Sequence, residues 1–127
     1  TVQGYEINQT IEVSSKNVDK VESVSRSISE LIATGVAMDS EPPQYIYTKI
    51  GDVKVEILSE AAKDARRRAE EIAKASGGTI SGVRSARMSP LQISPIYDYA
   101  IVGEGQNDTA NREKAITAIV TMTFGVR

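Results

Sequence analysis

Tyr5, Ile7, Gln9, Ile11 and Val13 alternate with Glu6, Asn8, Thr10 and Glu12, the two-residue period of a strand with one buried face. Ser14 to Asn17 interrupt it, and Ser15 or Asn17 is suited to cap a following helix. Val18, Val21, Val24, Ile28, Leu31 and Ile32 then recur at helical spacing. At ~100° per residue they fall within a stripe roughly 140° wide, broad enough to face a core. Gly35 is placed to end that helix.

Pro42 and Pro43 forbid further helix, and Gln44 to Lys49, rich in Tyr and Ile, predicts a short strand. Gly51-Asp52 turn the chain, with Asp52 as cap of a second helix over 53–76. Val55, Leu58, Ala61, Ala62, Ala65, Ala69, Ile72 and Ala73 line one side of it. A seam so rich in alanine predicts a close approach to the sheet beneath. At ~1.5 Å per residue the helix runs roughly 36 Å, about the length of a ten-residue strand. Gly77-Gly78 stop it.

Thr79 to Ser89 predicts a third strand. Lys114 to Arg127 predicts a fourth, with Ile116, Ala118, Val120, Met122, Phe124 and Val126 on one face. The order β-α-β-α-β-β, with strands apolar on one side only, predicts an α+β two-layer sandwich. Its sheet is expected to be four-stranded and mostly antiparallel, with both helices on one face. The chain, 1–127, reads as a single domain.

Pro90 to Glu113 is too long for a hairpin turn, and loops of this size are usually functional or linked to assembly. Its first half carries Leu91, Ile93, Ile96, Tyr97, Tyr99, Ile101 and Val102, more apolar material than an exposed connector keeps. Residues 90–102 are therefore expected to be ordered, packed on their own sheet edge or on a neighbouring protomer. Gly103 to Asn111 reads as a mobile polar tip.

Composition narrows the chemistry. The chain has no His and no Cys, which removes Ser-His-Asp and Cys-His nucleophiles, thiolate or imidazole zinc sites and disulfides. Fifteen basic against seventeen acidic side chains give a net charge of -2, so no global field recruits nucleic acid. The acidity is concentrated in residues 1–52, with four basic and eight acidic side chains. No apolar run is long enough to span a bilayer. Thr1 is preceded by neither Met nor a basic-then-apolar leader, which reads as a mature or trimmed domain.

Each motif that suggests a site also has a plainer reading. Arg66-Arg67-Arg68 sit ~100° apart around a helix and cannot converge on one phosphate. Asp64, Glu70 and Glu71 lie three or four residues from them, which predicts a salt-bridged, solvated face. Asp98, Glu104, Asp108, Gln106, Asn107 and Asn111 supply oxygens without a calcium-loop register, so turn chemistry around Gly103 and Gly105 is expected and no metal site. Glu6, Glu12, Glu56 and Glu60 lie on outward faces, so no catalytic residue is assigned. No phosphate-binding glycine loop is present, and no cofactor is expected. Tyr45, Tyr47, Tyr97 and Tyr99 are the candidate binding residues, placed to line a pocket if the long loop closes over the sheet; ordinary edge and loop packing is the plainer reading.

The signature helix Ala61-Ala62-Lys63-Asp64-Ala65-Arg66-Arg67-Arg68-Ala69-Glu70, running on through Gly77-Gly78 to Ile80-Ser81-Gly82-Val83, carries a resemblance. With the opening Gly4-Tyr5 strand, the Glu30-Leu31-Ile32 helix end and the closing strand Ile116 to Phe124, it resembles the SIMPL-domain family, which includes bacterial YggE-like and periplasmic immunogenic proteins. The resemblance covers roughly Tyr5 to Val126. It implies a two-layer α/β domain in a periplasmic or otherwise extracytoplasmic bacterial setting, with a leader and further N-terminal strands outside this text. It implies no shared active site.

The expected function is that of a non-enzymatic cell-envelope domain acting through self-association, as a homo-oligomer, or by binding an envelope protein partner. Nucleic acid is not an expected partner, and a membrane is reached only through a segment absent from this chain. The alternative is a small-ligand binding module with the 90–113 loop over a pocket.

Overall fold

The computed structural model describes all residues from Thr1 to Arg127. They divide into two compact units, Thr1–Gln44 and Tyr45–Arg127.

In the first unit, helix α1 spans Val18–Ala33. Asn17 caps it, its Oδ1 accepting from the Lys20 amide at 3.0 Å. At the other end Gly35 takes φ 97°, and the amides of Gly35 and Val36 donate to the carbonyls of Ile32 and Leu31. Both ends match the sequence reading, because capping is decided within a few residues. The strand expected at Tyr5–Val13 does not form. The segment has no regular structure and no partner strand, with Tyr5 90%, Ile7 89% and Ile11 76% exposed. Its alternation specifies a face to be buried, and no sheet in this chain takes it up. No residue of α1 is buried.

The second unit opens with Gln44 to Lys49, expected as a strand and here without regular structure. One backbone bond ties it down, from the Tyr45 amide to the Thr109 carbonyl at 2.7 Å. Helix α2 spans Ile50–Ala75. It starts earlier than predicted, so Asp52 is not its cap but lies in its first turn, where its charge suits the helix dipole. Gly77 at φ 79° and the Gly78 amide on the Ala73 carbonyl, 2.8 Å away, end it as expected.

Two sheets replace the expected four-stranded one. Strand β1 (Ile80–Met88) pairs antiparallel with β5 (Val120–Val126). Strand β2 (Gln92–Pro95) lies between β3 (Gln106–Asn107) and β4 (Lys114–Thr117). It runs parallel to β3 and antiparallel to β4. The predicted strand 114–127 is thus broken at Ala118-Ile119 and serves both sheets. Met88 pairs with Val120 and Gln92 with Thr117, so the register slips by one residue where the pairing passes from β1–β5 to β2–β4. The fold is α+β as expected, with two small sheets in place of one.

Helix α2 lies over the β1–β5 sheet, mainly above β5. Ala73 is the one buried hydrophobic residue, 5% exposed. Beyond it the chain comes close again: a Cβ on Gly78 would stand 2.9 Å from the Arg127 carbonyl oxygen. Ala61, Ala62, Ala65 and Ala69 are half-buried, whereas Val55, Leu58 and Ile72 of the predicted seam are exposed. The stripe is therefore wider than the surface the two-stranded sheet offers it.

Candidate functional site

The 90–113 segment, not the main sheet, carries the buried polar groups. Gln92 and Ser94 are 1% and 3% exposed. They alternate with Leu91, Ile93 and Pro95 and look outward-facing in the sequence, yet the excursion after β2 folds back over them. Gln92 fixes that fold. Its Nε2 donates to the carbonyls of Pro90 and Val102, each at 2.9 Å, and its Oε1 accepts from the Val102 amide at 3.2 Å. The carboxamide thus pairs with Val102 as a neighbouring strand would. Ser94 Oγ donates to the Asp98 carbonyl at 3.2 Å. Asp98 accepts from the Ala100 amide and, at 3.4 Å, from Gln106 Nε2.

These residues surround a cavity of about 100 Å³, lined chiefly by Gln92, Ser94, Asp98, Tyr99, Ile101 and Thr117. Of the four candidate tyrosines, Tyr99 lines it, while Tyr97 is exposed and outside it. Tyr45 is half-buried and Tyr47 exposed, and neither lines the cavity. The structure does not bring the four together.

The predicted polar tip is built into the sheet. Gln106 and Asn107 pair with β2, and the Asp108 amide donates to the Ile93 carbonyl at 2.8 Å. The Asp108 carboxylate accepts from the Ala110 amide at 3.1 Å and from Asn111 Nδ2 at 3.2 Å. Lys114 Nζ donates to the Asp108 carbonyl and lies 3.8 Å from the carboxylate, with both side chains about nine-tenths buried. Desolvation alone would raise the Asp108 pKa, but the bonds from Asn111 and Ala110 and the Lys114 charge together hold it below its ordinary value. Asp108 Oδ2 and Gln106 Oε1 are buried without hydrogen-bond partners. Turn chemistry expected around Gly103 and Gly105 is seen at Gly105, which takes φ 90° and donates its amide to the Val102 carbonyl at 2.9 Å. The buried Asp108–Lys114 pair was hidden, since six residues separate the two and only the β2–β4 pairing closes them.

On α2 the arginine run behaves as a solvated face. Arg66 pairs with Glu70 at 2.8 Å, and Arg67 and Arg68 both pair with Asp64, at 2.8 and 2.7 Å. Desolvation would raise the Asp64 carboxyl, but these two guanidinium groups outweigh it and hold the pKa low. No three acidic side chains converge as a metal centre would need, and no helix is long and apolar enough to cross a membrane.

The model of one family, SIMPL, described as a protein of unknown function (DUF541), matches residues 1–124. The chain belongs to the SIMPL family. The match takes in the signature helix, the unpaired 5–13 segment and the whole 90–113 excursion, so the SIMPL pattern extends well beyond the elements that pack in the second unit. No curated protein and no solved structure matches the chain.

Proposed function

We propose that this SIMPL domain is a non-enzymatic component of the bacterial cell envelope, periplasmic or otherwise extracytoplasmic, that works by self-association or by binding another macromolecule. One observation carries the reading: 40% of the chain is hydrophobic, yet Ala73 is the one hydrophobic residue buried. Val24, Leu31, Ile32, Val55 and Ile72 stand exposed at helical spacings, and Tyr5, Ile7 and Ile11 at strand spacing. Exposed apolar surface on this scale marks an interaction site. Light scattering coupled to size exclusion tests the reading. A mass at or above that of a dimer is expected at micromolar concentration; a monomer at every concentration, with no envelope partner recovered, contradicts it.

The small-ligand alternative is weaker on size. A cavity of about 100 Å³ has room for about three waters, whereas ligand sites usually span ~300–1,000 Å³. It suits a bound water or a single side chain better than a metabolite.

A further inference from the structure

Strand β5 has one hydrogen-bonded neighbour, β1. Ser89 donates to the Ile119 carbonyl and Arg127 exchanges bonds with Thr79, so the odd-numbered residues turn their backbone groups toward β1. Val120, Met122, Phe124 and Val126 therefore turn theirs to the free edge. That edge reads Val120-Thr121-Met122-Thr123-Phe124-Gly125-Val126. It lacks the charges and prolines that usually protect an exposed strand.

We infer that the free edge of β5 receives the Tyr5–Val13 segment of a second copy of this chain, so that two copies exchange strands. The inference rests on the self-association reading above and names its contact. Three observations select the occupant. First, the segment is nine residues long, free of helix and turn, unpaired and apolar on alternate positions. Tyr5, Ile7, Ile11 and Val13 match the half-buried face of β5, where Met122 and Phe124 lie.

Second, the charges are complementary. The opposite face of the sheet carries Arg84 and Arg87 of β1 beside Thr121 and Thr123 of β5. Neither arginine has an ion-pair partner in the chain. Arg84 lies across β5 over Gly125, where an added Cβ would stand 3.0 Å from its Nε. Its guanidinium thereby reaches toward the free edge. A strand docked there sets Glu6 and Glu12 on this same polar face.

Third, β5 is a poor partner for itself. Two β5 edges side by side would hold their overlying α2 helices ~5 Å apart, whereas packed helices need about 8–10 Å. An extended segment avoids that conflict.

The test is a charge exchange in the full chain, read by light scattering and sedimentation equilibrium at low salt. Arg84→Glu, and separately Glu6→Lys with Glu12→Lys, should each weaken dimerisation about tenfold, since both turn cross-strand attraction into repulsion. An equimolar mixture of the two variants should restore the dimer, because each arm then meets an edge of opposite charge on the other chain. The chain carrying all three substitutions should also dimerise. If the wild type dimerises and no variant changes its affinity, self-association stands and the β5 contact is wrong. If all species are monomers and only the triple variant regains wild-type stability, the arm pairs within its own chain and the exchange is overturned. A mixture that stays impaired while the wild type dimerises also overturns it.

Discussion

Gln92 holds the long excursion to β2 through three hydrogen bonds, two as donor and one as acceptor. Gln92→Met keeps the volume but strands the Pro90 and Val102 carbonyls and the Val102 amide, and should cost about 2–4 kcal/mol in urea unfolding. Tyr97→Ala, at an exposed position, should cost under ~0.5 kcal/mol. Asp108 adds a pH dependence. Its carboxyl is held below its ordinary value in the fold, so its contribution is present above the unfolded pKa of ~3.9 and is lost as pH falls through the lower folded value. Asp108→Asn should therefore flatten the acid limb of stability below about pH 4 when followed by circular dichroism; an unchanged limb would show the contribution to be absent. Neither residue announced itself in the sequence. Gln92 sits at an alternating position that reads as solvent-facing, and Asp108 meets Lys114 only once β2 has paired with β4.

At the scale of elements, helix α2 touches its sheet most closely near its C-terminal end. Ala73→Leu should overpack that contact and cost about 1–3 kcal/mol, while Arg67→Ala, in an exposed pair, should cost under ~1 kcal/mol. Denaturant midpoints ranked the other way would misplace the helix on the sheet. The sequence reading put the tight approach at Ala65 and Ala69, both only half-buried. A helical period gives the direction of a face and not where along it the support ends. Both helices and their glycine stops were legible for the same reason: the signals lie within one or two turns. The strands were less so. Alternation runs unbroken through Ala118 and Ile119, and the break there comes from a register change between the two pairings that the local sequence does not carry. Tyr5–Val13 shows the opposite case, a strand period that forms no strand because no partner in the chain takes it up.

For the whole molecule, the absence of a substantial buried core is the fact that everything else turns on. A chain that buries one alanine fully gains little hydrophobic free energy to set against the ordering of its backbone. The proposed self-association would supply the missing burial, and folding and assembly would then be linked through concentration. Unfolding by urea across a hundredfold range of protein concentration tests this most directly. For a dimer that unfolds to separate chains, that range stabilises the folded state by about 2.7 kcal/mol. With m near ~1–3 kcal/mol/M, the midpoint should rise by about 1–3 M. A cooperative transition whose midpoint stays fixed across the range, with a monomer mass throughout, would contradict the account.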